Sequence, residues 1–384
     1  MKNLTTVVLL VAVCIGCSSK ESSDVAFITK LGSDTLAIET FTKTENGIEA
    51  KVVLRSPQTV LTSYELVQDE FGGVQKMTAT RFNEASGFEG SGTFQQSIER
   101  EGDSLFTQYR TRSGDLRSYK TKYQEGALPF IDMVHWPFEL ALIQANSEES
   151  DTVNQKMLSG NNISNFVIAN LGGASRTIRH PSRGVMDVEV NHSGELVLLD
   201  AAQTTRKLIV SREAGTDINS IAERFLRLDK EGKSFGSLSG AVEEEFVVSG
   251  ASFKVTYGSP SRRGRDLFGG IVPWGERWRT GANRATHFST SKELMIGDLK
   301  VPAGDYTLFT IPEAEGGTLI INKQTGQNGR TYDEARDLGR VPMQLSTKAD
   351  NTESFTITVE ENEIGGELNL IWGESVFKIP FQIK

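Results

Sequence analysis

The sequence predicts a mainly β protein in two parts. An N-terminal curved antiparallel sheet or half-barrel carries a short helical cap, a helix-containing linker follows, and the C-terminal part is a β-sandwich. Three observations carry this reading. Short runs of alternating apolar and polar residues, parted by glycine-centred turns, recur from residue 27 to 210 and again beyond 243. Residues 217–228 have the strongest helical periodicity, and a Gly/Ser stretch at 232–240 comes straight after them. The chain of 384 residues also exceeds the roughly 250–300 at which single cores stop growing.

The elements follow in order. Lys2 precedes an apolar run at 4–13 that has signal-peptide length and is too short to span a membrane. The next residues, Cys14-Ile15-Gly16-Cys17, resemble a bacterial lipobox. That resemblance implies a signal peptide at 1–16, cleavage before Cys17 and lipidation of Cys17. Residues 17–25 then form a polar tether, and the chain is placed on the bacterial outer membrane, at its periplasmic or surface face, with the membrane as partner through the lipid. Cys14 and Cys17 are the only two cysteines. A chain lipidated at Cys17 therefore has no thiol left for a disulfide, a nucleophile or a metal.

Residues 26–213 form the first domain. Period-2 runs at 36–41 and 48–54 meet at Glu45-Asn46-Gly47, a hairpin signal. Similar units recur at 63–68 with 75–80, at 90–99 with 104–110, and at 117–123. Residues 128–145 break the alternation with helical spacing and predict a short helix or capping loop. Strands resume at 165–169, 176–179, 185–190, 196–199 and 204–210. This part looks like the curved-sheet, lipoprotein-carrier-like domains of bacterial envelope proteins.

Asp217 is placed to N-cap the 217–228 helix, whose Ile218, Ile221, Ala222, Phe225 and Leu228 share one face. The domain boundary falls in the linker that ends this 214–241 segment. From 242 to 384, strands are predicted at 246–248, 251–257, 286–291, 294–296, 304–311, 318–322, 354–360, 366–372 and 376–383, with turns at sandwich-like intervals.

Between them lies the segment with the most special-purpose residues, 259–288. It holds Ser259-Pro260, Arg265, Phe268-Gly269, Val272-Pro273-Trp274, Trp278-Arg279, Gly281-Ala282-Asn283 and Thr286 in that order. Further on come Pro302-Ala303-Gly304, Tyr306, Leu308-Phe309-Thr310-Ile311-Pro312, Asn322-Lys323 and Tyr332-Asp333. On these motifs the last third of the chain resembles the bacterial domain of unknown function 2911 (DUF2911). Where that family shows a Trp-Gly pair, this chain has Asn328-Gly329. The resemblance implies a β-sandwich and an envelope setting and carries over no catalytic residue.

The formal charge of −9 argues against nucleic acid as a partner. Within 259–288, however, six arginines face only Asp266 and Glu276. Forked guanidinium donors suit anions, and the faces of Trp274 and Trp278 suit glycans. The candidate ligand-binding residues are therefore Arg265, Trp274, Trp278, Arg279, Asn283 and His287. A competing reading has the arginines simply hold a long loop in shape. The four histidines are scattered without metal-ligand spacing, and no phosphate loop, dinucleotide fingerprint or nucleophile elbow occurs, so no metal, cofactor or catalytic residue is assigned.

The reading is a non-catalytic binding or structural lipoprotein for an anionic, glycan or apolar small ligand. One alternative is an envelope-polymer hydrolase with His287 as general base and Arg279 or Asn283 stabilising an oxyanion. Another is apolar-ligand carriage by the N-terminal sheet, which needs a cavity between that sheet and residues 128–145.

Overall fold

The computed structural model describes residues 25–84, 87–148 and 150–384. The predicted signal peptide, with Cys14, and the predicted lipidation site Cys17 lie outside the described residues. Among those described, no helix is long and apolar enough to cross a membrane.

The first sheet has fifteen strands, and its order explains its shape. Strand Val25–Leu31 sits in the middle, paired on one side with Asp34–Thr44 and on the other with Ile209–Ala214, the last strand of the domain. From there the strands run outward in chain order to one edge, Leu116–Lys122, and in reverse chain order to the other, Leu128–Pro129. Residues 123–127 alone join those edges, so they lie within about 20 Å of each other. A sheet this wide can meet that limit only by curling, and the sheet is a half-barrel that does not close. Its hairpins follow the predicted pattern: Thr44 pairs with Gly47, leaving Glu45-Asn46 as the turn.

Alternation along each strand divides the side chains between two faces. Phe27, Phe41, Val52 and Leu66 point into the concave side, where helix α1 (Trp136–Asn146) lies. This helix is buried without a break from Trp136 to Leu142, as expected for a helix enclosed on all sides. Residues 128–135 before it are not helical, because Pro129 joins the edge strand and Pro137 starts the helix. Its first turn is capped from across the fold: the buried Glu39 carboxylate accepts the backbone N–H of His135 (2.9 Å) and of Trp136 (3.1 Å). On the convex side, Ile38, Val53 and Leu61 receive helix α2 (Ile218–Lys230) through Ile218, Ala222, Phe225 and Leu226. Asp217 caps α2 as predicted, accepting from the N–H groups of Asn219 and Ser220.

The Gly/Ser stretch at 232–240 is not a flexible linker. Phe235 inserts into the N-terminal core, the Gly236 N–H donates to the Pro57 carbonyl (2.9 Å), and the next strand, Ser239–Val248, has already begun by Ser239. The apolar Phe235 and Leu238 anchor what the composition reads as slack.

The second sheet has nine strands, and its two longest, Asp337–Asn362 and Gly365–Ile383, serve both layers of a sandwich. The first half of Asp337–Asn362 pairs with Gly316–Asn322. After register shifts between residues 347 and 356, its second half lies across Ala251–Pro260, where Tyr257 Oη accepts the Ile357 N–H (3.1 Å) and Ser259 Oγ donates to the Phe355 carbonyl (2.7 Å). Bulges at this corner let one strand change layers. The two segments predicted at 366–372 and 376–383 are accordingly one continuous strand.

Candidate functional site

Strands Ala251–Pro260 and Thr286–Thr290 pair side by side, so the 261–285 segment between them is a long excursion at one end of the sandwich. Its middle is extended. The Trp278 N–H donates to the Thr310 carbonyl (2.7 Å) and the Thr310 N–H returns the bond (2.9 Å). Extended backbone sends neighbouring side chains to opposite faces, so Trp278 points one way and Arg277 and Arg279 the other. That alternation divides the predicted site residues.

The tryptophans are structural. Trp278 stacks on Trp372 with ring centroids 5.9 Å apart and planes at 10°, and meets Phe355 edge-on at 5.0 Å. Trp274 stacks on Phe268 at 5.7 Å and stays 40% exposed. Arg265 holds its own loop, donating to the carbonyls of Arg262 (2.9 Å) and Ser261 (2.6 Å). For these residues the loop-shaping reading describes what is seen.

Arg279 is different. It lies under Gly329, where a Cβ would come within 2.6 Å of Arg279 Cδ and 2.8 Å of the Asn283 and Arg284 carbonyl oxygens. Its Nε is buried without an acceptor, and among the described residues its guanidinium has no hydrogen bond and no ion pair. Burial, and after it the charge of Arg330, lower its pKa from the ordinary value, yet a guanidinium remains charged at neutral pH.

Three more arginines gather on the same face. Arg277 stacks on Tyr332 at 3.9 Å, Arg284 bridges Asn328 through its backbone, and Arg330 donates to the Ser182 carbonyl of the N-terminal domain (3.2 Å). Among the described residues none of Arg277, Arg279, Arg284 and Arg330 has a carboxylate partner. The 323–333 loop builds this face. Asn328 Oδ1 accepts the N–H groups of Arg330 (2.9 Å) and Thr331 (3.2 Å) and turns the chain back. The side-chain oxygens of Gln324 and Gln327 are also buried without a donor. The sequence reading did not single out Arg330. The visible signal was its position beside Asn328-Gly329, where this chain departs from the Trp-Gly pair.

Asn283 is exposed with φ of 63°, the left-handed region, and its carbonyl backs Gly329. His287 is held on both ring nitrogens: Nδ1 lies 3.1 Å from the Ala285 carbonyl, and Nε2 accepts the Gly326 N–H at 2.9 Å. Both bonds together require the neutral Nδ1–H tautomer. The ring is thus engaged by backbone on both nitrogens. Among the described residues no three His, Cys, Asp or Glu side chains group as a metal site. On the N-terminal side, α1 fills the middle of the concave face.

Residues 239–381 match the family model described as Protein of unknown function (DUF2911). No curated protein matches the chain. Among solved structures, a DUF1089 family protein from Pseudomonas aeruginosa is similar over 44% of this chain and 90% of its own, at 9% identity and a TM-score of 0.30. A structure from work on the cell entry of botulinum neurotoxin type C is similar over 94% of this chain and 88% of its own, at 9% identity and a TM-score of 0.13. At such scores neither likeness assigns a fold or a function.

Proposed function

We propose that this chain is a lipid-anchored bacterial envelope protein, tethered through Cys17 at the outer membrane, whose C-terminal domain is a non-catalytic module for an anionic ligand. The observation that carries the binding reading is Arg279, a half-buried guanidinium whose Nε has no acceptor and whose neighbours are cations. An uncompensated charge in such a place raises the free energy of the fold, and an anion shared with Arg277, Arg284 and Arg330 relieves it. The anionic form of the reading is favoured over the glycan form because Trp278 is half-buried and stacked on Trp372, which leaves Trp274 as the more exposed stacking face.

The test is native mass spectrometry of the protein carrying Cys17→Ser, purified gently from its own cells. An anionic adduct present on this protein and missing after Arg279→Gln supports the reading. If no adduct is lost on Arg279→Gln, or if turnover of an envelope polymer stops on changing Arg279 or His287, the reading is overturned.

A further inference from the structure

The half-barrel fails to close along one seam, and the seam is a groove of about 390 Å³. One wall is the outer strands of the sheet, where Met77, Ile98 and Tyr109 alternate with the polar Gln95, Gln96 and Thr107. The other is the Pro129–Asp132 segment together with Leu158. Directly behind that segment lies an apolar recess of about 40 Å³, floored by Phe138, Met186, Leu199 and Leu208. Phe130, Ile131 and Asp132 line both spaces, so these three residues form a strap with a space on each side.

The strap is pinned by charge at its tip. The Asp132 carboxylate accepts from Arg183 Nη1 (2.5 Å) and from Arg206 Nη2. Two arginines share this one carboxylate, Arg206 Nε is buried without an acceptor, and Arg330 adds a third cation from the Ser182 side. Next to Asp132, Met133 sits at φ of 64°, a left-handed conformation that a side chain resists. The strap thus lays its own apolar side chains and its own anion on a cationic rim over an apolar recess.

We propose that the seam binds a single-chain anionic amphiphile. Its chain runs along Met77, Ile98 and Leu158, and its head replaces the Asp132 carboxylate on Arg183 and Arg206 as the strap swings aside and joins groove to recess. The joined space falls within the roughly 300–1,000 Å³ of small-ligand sites. The site borders the arginine face around Arg279 through Arg330, but its head contacts, Arg183 and Arg206, lie outside that face, so it stands whether or not Arg279 binds an anion.

The experiment is isothermal titration of the full chain with hexadecanoate, hexadecyl phosphate and hexadecan-1-ol, each below its aggregation concentration. At least one of the two anions is expected to bind at one per chain, at least tenfold tighter than the alcohol, and the tighter anion identifies a carboxylate or a phosphorylated head. Asp132→Asn frees the arginines and tightens the anion about tenfold with the alcohol unchanged. Arg183→Gln with Arg206→Gln erases the difference between anion and alcohol. Gln96→Trp, a bulky side chain placed in the groove, abolishes binding of all three while native circular dichroism is kept, and Arg279→Gln changes none of them. Equal binding of alcohol and anions, an anion weakened or unchanged by Asp132→Asn, or no binding to either the wild type or Asp132→Asn overturns the proposal.

Discussion

Arg263 and Asp34 tie the two sheets together through an ion pair of 2.8 Å in which Arg263 is only 8% exposed. The same guanidinium lies 3.8 Å over the Phe235 ring and donates to the Phe235 carbonyl (2.9 Å), so one side chain holds the sandwich, the half-barrel and the segment between them. The Arg263 carbonyl in turn accepts the Ser33 N–H (2.9 Å), beside Gly32, where any Cβ would fall 2.0 Å from that oxygen. Arg263→Ala is expected to lower the unfolding free energy by about 2–3 kcal/mol, since it removes a charge-assisted pair and strands the Phe235 carbonyl. It should also expose residues 232–238 to protease. Urea unfolding and limited proteolysis check both; an unchanged cleavage pattern would mean the domains are held elsewhere.

Glu39 makes the second prediction. Its carboxylate is fully buried and caps α1 with the N–H groups of His135 and Trp136 while also facing His135 Nδ1 at 2.9 Å. Glu39→Ala leaves those donors in a sealed interior, with an expected loss of about 2–4 kcal/mol. Glu39→Gln, which keeps an acceptor, should recover part of it. Denaturant midpoints of the two variants separate capping from simple loss of volume.

Arg279 has the opposite expected sign. A guanidinium that finds no acceptor destabilises the fold that holds it, so Arg279→Met should unfold no earlier than the wild type in an anion-poor buffer. Added sulfate should raise the melting temperature of the wild type by binding the native state and leave the variant unmoved. A melting scan against sulfate concentration reads both. A clear drop in the melting temperature of Arg279→Met without sulfate would make this arginine a structural strut.

His180 sets a pH dependence. Burial first, then the nearby Arg183, lowers its pKa to about 4, and Nδ1 accepts the Ser182 N–H (3.1 Å), which only the neutral ring can do. The unfolded value is about 6.5. Between the two the unfolded chain binds a proton that the folded chain refuses, so this residue's contribution to stability is intact above about pH 6.5 and is lost as the pH falls toward 4. His180→Phe, packed between Phe130 and Phe166, should therefore gain stability relative to the wild type as the pH is lowered from 7 to 5. Denaturant midpoints at the two pH values test the sign.

Much of this architecture was legible because turns and alternation are local. Asp217 announces its helix, and residues 294–296 read as a strand of the observed length. What escaped depends on contacts far along the chain. Strand Thr152–Ser159 went unread because Gln155 occupies a core position, its amide satisfied by the distant Gly126 carbonyl (2.8 Å). The polar stretch 348–354 looks like a loop and is the corner of a long strand. The arginine face was half legible: the excess of arginine is written in 259–288, but nothing local tells Arg265, which bonds its own loop, from Arg279, which bonds nothing. Arg330 reaches the face only through the fold.

The two tryptophans of the 259–288 segment should part company on mutation. Trp278 contributes to a continuous aromatic stack with Trp372, Phe355 and Phe268, the last by an edge contact at 6.2 Å. It also anchors the extended stretch that aims Arg277 and Arg279 at the opposite face. Trp278→Ala opens a cavity in the sandwich and is expected to cost about 3–4 kcal/mol, with Trp278→Phe recovering roughly half. Trp274 covers Phe268 from outside and backs onto Gly269, where a Cβ would lie 2.5 Å from its Nε1. Its removal uncovers a partly solvated ring, and about 1 kcal/mol is expected for Trp274→Ala. A glycan ligand would reverse the functional ranking. Trp274→Ala would then weaken binding while stability barely moved, because aromatic stacking on a sugar needs an exposed face and Trp274 is the more exposed of the two. Measuring stability and adduct retention on the same two variants decides whether this loop reads charge, sugar or neither.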